Sequence, residues 1–173
     1  DNGNFFEMRE LYASGLITGF ARLDGWSVGV IGSDPMSKAG AMDGNAADKY
    51  THFVDLCDTF NLPLLIFLDM PGFMLGSHAE RIATMRRGAR ALIASAECQV
   101  PKIEFMVRKS YGVAADAPNS IGLPDSINLR FGWPSGEWGG IPIEGGVAAA
   151  YRREIEAADD PDAHREAIEE RLL

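Results

Sequence analysis

The strongest chemical signals in this sequence are two stretches that place glycine and small residues directly after short apolar runs. Leu68-Asp69-Met70-Pro71-Gly72-Phe73-Met74-Leu75-Gly76 follows the run at 64–68 and precedes a helical pattern that begins near Ala79. Gly72 and Gly76 permit close backbone approach, and free N–H groups at the following helix suit a negatively charged oxygen. Arg108-Lys109-Ser110-Tyr111-Gly112-Val113-Ala114-Ala115 repeats the arrangement after the run at 103–107. Two such turns side by side would form an oxyanion hole from backbone amides alone, which suits reactions through enolates or tetrahedral oxyanions. Each also reads as an ordinary strand-to-helix turn, and Arg108-Lys109 as a polar strand end.

Other chemistries lack their residues. There is no GxxxxGKS or GxxxxGKT loop and no GxGxxG after a strand, so neither phosphate-binding mechanism is supported. No GxSxG elbow is present, and Ser77 beside His78 is a sequence neighbour rather than a nucleophile–base pair. His52, His78 and His164 have no ligand partners at metal spacing and read as surface or helix-face residues. Cys57 and Cys98 form no CxxC or Cys/His pattern and are too few for a disulfide framework. Trp133-Pro134 and Trp138-Gly139-Gly140 offer flat apolar surface beside flexible backbone, appropriate for a bicyclic or acyl ligand. Packing or an oligomer contact is the favoured reading of these aromatics.

The elements that must position these turns follow from periodicity. Residues 26–31, 64–68 and 103–107 read as buried strands, each apolar and bounded by Gly or Pro. Between them, 46–60 and 79–96 carry apolar residues at helical spacing: Ala46, Tyr50, Phe53, Val54, Cys57 and Phe60, then Ile82, Met85, Ala89, Leu92, Ile93 and Ala96. That alternation predicts an α/β domain with largely parallel strands, and the unbroken run at 64–68 suits a sheet covered on both faces. Residues 112–146, dense in Gly and Pro, predict loops with brief ordered pieces. A helix is expected from about 146 to 158, and another after Asp160-Pro161, with Asp as N-cap and Pro at the first helical position.

The chain has 173 residues, 46% of them hydrophobic, which is one domain's length with enough apolar material for a core. Its formal net charge of −9 argues against tracking a nucleic-acid backbone. No apolar run is long enough to span a bilayer, so no membrane partner is expected.

Taken together, the motifs resemble the biotin-dependent acyl-CoA carboxyltransferases, with propionyl-CoA carboxylase β subunits as the nearest type. The resemblance runs from about Phe5 to Arg153, through GLITGFARLDGWSVGVIGSDP, GAMDGNAADKYTHFVDLCDTFNLPLLIFLDMPGFMLGSHAE, RRGARALIASAECQVPKIEFMVRKSYG and WPSGEWGGIPIEGGV. The PGFxxG turn, the RxGA helix and the VPK–strand–RK series are jointly specific. The resemblance implies a crotonase-like (Clp-protease-like) β-β-α superhelix. It also implies that residues 1–173 are the C-terminal, biotin-facing domain of a longer subunit, inactive alone and cytoplasmic.

Carried over by motif, the resemblance assigns Val113 and Ala114 as the backbone oxyanion hole for the biotin ureido oxygen. Gly72, Phe73 and Gly112 complete the cofactor-binding set, with no metal in this domain. The implied cofactor is biotin, as carboxybiotin on a carrier protein, and the implied substrate is an acyl-CoA. Implied partners are a biotin carboxyl carrier or biotin carboxylase subunit, the N-terminal carboxyltransferase domain, and further copies in a homo-oligomer. No side chain is required as general base, because the departing biotin nitrogen can take the α-proton. Val113 stands where propionyl-type members carry a second glycine; it keeps its amide but restricts the backbone and narrows the pocket. The loop at 115–130 is longer than usual, and WPSGEWGG departs from the WPTAE pattern. Competing readings are a biotin-dependent decarboxylase subunit, which uses the same geometry, and a non-catalytic assembly module.

Overall fold

A computed structural model describes residues 3–119 and 126–172 of the protein. The expectation for the 115–130 loop falls partly on 120–125, outside the described residues. Among those described, one sheet has seven strands. Strands β1 (Phe6–Glu7), β2 (Leu16–Leu23) and β3 (Trp26–Ser33) form an antiparallel meander. From β3 onward the pairing is parallel, through β4 (Leu64–Met70) to β5 (Lys102–Tyr111). The far edge of β5 pairs first with β6 (Asn128–Gly132) and then with β7 (Glu137–Gly139).

The sheet is largely parallel, as read from sequence, with an antiparallel meander added at one edge. The meander's local signal is Asp24-Gly25, whose φ values of 49° and 82° put both residues of a two-residue hairpin loop in the left-handed region. Strand β2 itself is masked by Gly19, which breaks the apolar pattern for a packing reason. A Cβ there would stand 2.5 Å from the Phe6 carbonyl oxygen, so β1 crosses too closely for any side chain.

Helix α1 (Gly44–Thr59) starts at Asp43, whose carboxylate accepts from the Ala46 N–H at 2.8 Å. It buries Ala46, Tyr50, Phe53, Val54 and Cys57 against the sheet as expected, whereas Phe60, just past its end, is exposed. The single helix expected over 79–96 is two, α2 (Ser77–Arg81) and α3 (Thr84–Glu97), because Ala83 takes a left-handed conformation between them. The buried face of α3 is also not the expected one. It consists of Thr84, Gly88, Ala91, Ala94 and Ser95, while Met85 and Ile93 are about half exposed. Small residues let α3 approach α1 and the preceding turn closely, and this turns the larger apolar stripe outward.

Helices α1 and α3 cover only one face of the sheet. Leu64, Ile66, Leu68 and Met70 are buried beneath them, but Phe67 is exposed on the other face, stacked on Phe105, which in turn stacks on Phe131. The two-sided cover read from the run at 64–68 is therefore absent among the described residues. After β5 come α4 (Gly112–Asp116) and a 3-10 turn, then β6 and β7, matching the brief ordered pieces expected there. The helix expected at 146–158 is split at Tyr151 into α5 (Ile143–Ala150) and α6 (Arg152–Glu156). Helix α7 (Pro161–Leu172) begins as read, with the Ala163 N–H donating to Asp160 at 3.1 Å.

Candidate active site

The site is set by how β4 and β5 end. Leu68 pairs with Met106, but Met70 pairs with Ser110, so two steps along β4 face four along β5. This bulge re-aims the end of β5. Asp69 fastens it from β4, accepting from the Lys109 N–H and from Arg108 Nε, both at 3.2 Å. From the other edge, the turn at 133–136 covers the same irregularity: the Trp133 N–H donates to the Met106 carbonyl at 2.9 Å, and Ser135 Oγ donates to the Val107 carbonyl at 2.7 Å. Gly136 lies so close that a Cβ would stand 3.1 Å from the Met106 oxygen. The WPSG segment thus serves as the strap that lets β7 resume pairing where β6 stops.

Beyond the bulge, three turns meet. Gly72, with φ 126°, has the Tyr111 carbonyl oxygen 3.5 Å from where its Cβ would be. Gly112, with φ 64°, has the Gly140 carbonyl oxygen at 3.4 Å in the same sense. The two glycine turns lie beside one another, and Gly140 joins them. Both glycines occupy backbone regions that disfavour other residues, and that conformation, not the ordinary contact distances, is what calls for glycine.

The 72–74 turn is held rigidly. Met42 N–H donates to the Gly72 carbonyl at 3.0 Å and the Met74 N–H donates to the Met42 carbonyl at 2.9 Å. In such a parallel bridge the N–H and C=O of the middle residue, Phe73, point away from Met42. The Phe73 ring packs on Gly88 of α3. Val113 and Ala114 open α4, where first-turn N–H groups have no intrahelical acceptor. Ala114 is wholly buried, while the Val113 side chain is about half exposed. Val113 therefore keeps its bulk at the surface.

Sequence reading missed a polar cluster next to α4. Glu104 is buried and faces Arg130 across β5 and β6, Nε to Oε1 at 2.6 Å. Burial pushes the Glu104 carboxyl up to about 7 against the pull of Arg130. Lys102 is buried too, donating to the Ser95 carbonyl, and burial lowers its pKa. The alternation of Lys102, Glu104 and Met106 along one strand was the available signal, hidden because charged residues usually mark a solvent face.

The cysteines and histidines lie elsewhere. Cys57 and Cys98 are free and buried; burial pushes the Cys57 thiol up to about 12 and raises that of Cys98, which makes both poor nucleophiles. His52 and His78 are exposed, and His164 meets Glu154 at 3.0 Å near the far end of the chain. Trp133 and Trp138 are exposed, Trp133 edge-on to Phe105. Among the described residues, no helix is long and apolar enough to cross a membrane.

A sheet with helices stacked on one side, whose β4 and β5 run into adjoining glycine turns, makes this an α/β protein, and its structural neighbours give it the crotonase-like fold. The comparisons agree. The crystal structure of the transcarboxylase 12S hexamer, with methylmalonyl-coenzyme A and methylmalonic acid bound, superposes with a TM-score of 0.86 at 40% identity, covering 99% of this chain and 32% of its own. Residues 1–172 match the carboxyl transferase domain, and the protein belongs to that family. The carboxyltransferase subunit of propionyl-CoA carboxylase from Haloferax mediterranei is 43% identical over 171 residues, 98% of this chain and 33% of that subunit. Methylmalonyl-CoA decarboxylase subunit alpha from Veillonella parvula is 42% identical over 150 residues, 87% of this chain and 28% of its own. The chain thus spans about a third of the length of these relatives.

Proposed function

We propose that this chain is the biotin-facing, C-terminal domain of a carboxyltransferase that moves a carboxyl group from carboxybiotin to the α-carbon of a short acyl-CoA. The observation that carries this reading is the meeting of the Gly72 and Gly112 turns, 3.5 Å from a Gly72 Cβ position to the Tyr111 carbonyl, in a member of this family. The residues present suit the cofactor. Gly72 and Gly112 carry no side chain where their turns meet, and neutral amides suit the single oxygen of a ureido group. When bound, carboxybiotin supplies a carboxyl group activated on its ureido nitrogen.

The work of this chain is then binding and orientation. The Val113 and Ala114 N–H groups, with Phe73 on the facing turn, would hold the oxygen on which charge develops. Preorganised amides do this without reorganising during reaction. The acyl-CoA and its enolate oxygen would be met by the N-terminal domain of a facing subunit, while the carrier protein would present carboxybiotin to this domain. The outward stripe of α3 and the uncovered face bearing Phe67 and Phe131 supply apolar surface for such contacts and for self-association.

Titration of the isotope-labelled chain with biocytin tests the assignment. The amide signals of residues 72–73 and 112–114 are expected to shift; shifts mapping elsewhere, or none, would refute it. Carboxyl transfer to acyl-CoA is expected only from the complete subunit, so robust turnover by the 173 residues alone would overturn the domain reading. The 42% identity to a decarboxylase subunit favours a second reading, in which the same site operates in the direction of carboxybiotin formation.

A further inference from the structure

Helix α4 carries the proposed amide site at one end and an ion-pair clamp at the other. Glu104 on β5, 1% exposed, is the register partner of Arg130 on β6. Arg130 Nε lies 2.6 Å from Glu104 Oε1, and its Nη2 donates to Oε2 at 3.3 Å. The same Nη2 donates to the Ala115 carbonyl at 3.2 Å, and Nη1 is 3.6 Å from Asp116 Oδ1. One guanidinium therefore joins β5, β6 and the second half of α4.

A five-residue helix has no stability of its own, so its direction is dictated by whatever holds its two ends. At its start α4 continues from β5; near its end the Ala115 carbonyl is gripped by Arg130. We infer that Glu104 and Arg130 are the positioning pair of this site, fixing through the Ala115 carbonyl where the amides at 112–114 point. The guanidinium spreads three nitrogens over Glu104 Oε1, the Glu104 Oε2–Ala115 pair and Asp116, a reach that the single nitrogen of a lysine cannot reproduce in full. This inference takes its functional meaning from the amide reading above, but the mechanical coupling it asserts can be measured without it.

The pair has a built-in proton dependence. The groups that face Glu104 are Arg130 from β6, Lys102 from β5, Asp116 from α4 and Tyr50 from α1. Burial, with a smaller push from Asp116, raises its pKa to about 7, while Arg130 and Lys102 pull the other way. Protonation near neutrality removes the negative half of the clamp, so the turn at 112–114 is held most firmly above that pH.

The test is an amide titration of the labelled chain across the neutral pH range. In the wild type, the Val113 and Ala114 amide signals should titrate with a midpoint near 7. In Glu104→Gln, which keeps the side chain's size, that titration should vanish. In Arg130→Lys it should shrink, because one ammonium nitrogen cannot also hold Glu104 Oε1 and Asp116 as the guanidinium does. Biocytin should bind Glu104→Gln several-fold more weakly than the wild type. Amides that do not titrate, or that titrate unchanged in Glu104→Gln, would overturn the inference. Should biocytin bind neither protein while the amides still follow Glu104, the biotin-side reading fails and the positioning pair stands.

Discussion

The ring of Phe73 lies where a side chain on Gly88 would begin: a Cβ there would stand 2.3 Å from Phe73 Cζ. Two motifs far apart in sequence, PGF and RxGA, are thus one contact, and the glycine of the helix exists for the phenylalanine of the turn. Gly88→Ala must displace the ring or α3, at a cost of about 1–3 kcal/mol. The expected result is a lower denaturant midpoint with an unchanged slope. Adding Phe73→Leu should recover part of the loss, since the smaller side chain clears the new methyl. A Gly88→Ala variant as stable as the wild type would show that the ring is not seated as described.

Asp69 has a comparable role at the bulge. Its salt bridge to Arg108 is of little worth, because Arg108 is half exposed. The acceptance from the Lys109 N–H matters more, since that amide sits where the β4–β5 ladder is interrupted. Asp69→Ala should cost about 1–3 kcal/mol by leaving a half-buried donor without its acceptor. Asp69→Asn, which keeps an acceptor, should cost distinctly less. Equal losses in the two variants, measured by chemical denaturation, would point to the charge rather than the hydrogen bond.

What was legible in the sequence depended on whether a residue's role was local. The strands at β4 and β5, the Asp160 cap and the glycine turns at 72 and 112 declare themselves through neighbours a few positions away. Gly19 and Gly88 do not, because the atoms that exclude their side chains belong to Phe6 and Phe73. Met85 and Ile93 were misplaced for a related reason. Helical periodicity reports an apolar stripe but cannot say that a stripe of smaller residues will win the close packing. Glu104 and Arg130, 26 residues apart, meet only through strand register.

Gly112 and Val113 adjoin in sequence yet should respond very differently to substitution. Gly112 has φ 64°, so Gly112→Ala places a side chain in the left-handed region at about 1–2 kcal/mol. The new methyl would meet the Gly140 carbonyl only at ordinary contact distance, so it is the backbone strain that is expected to shift the amides of the turn. The Val113 side chain is 49% exposed, and Val113→Ala should alter stability by no more than about 0.5 kcal/mol. Biocytin binding should follow the same order, weakened by the first substitution and little changed by the second. A large loss of stability in Val113→Ala would contradict its placement at the surface.

The pair that positions the turn should also tilt the protein's stability against pH. Glu104 binds its proton with a pKa of about 7 in the folded chain, against a reference value of 4.5. Between those values the folded state holds a proton that the unfolded state has released, so stability falls as pH rises. The contribution is fully present below 4.5 and lost by about 7; integrated over that window it amounts to roughly 3 kcal/mol at most. Subtracting the unfolding free energy of Glu104→Gln from that of the wild type at each pH isolates this slope from other titrating groups. Parallel curves for the two proteins would remove Glu104 as its source. If the slope is found where the α4 amides also titrate, the ionised carboxylate that anchors Arg130 is held at the expense of global stability. That trade is expected of a group kept to orient a site, since an apolar pair would satisfy packing alone without the penalty of burying charge.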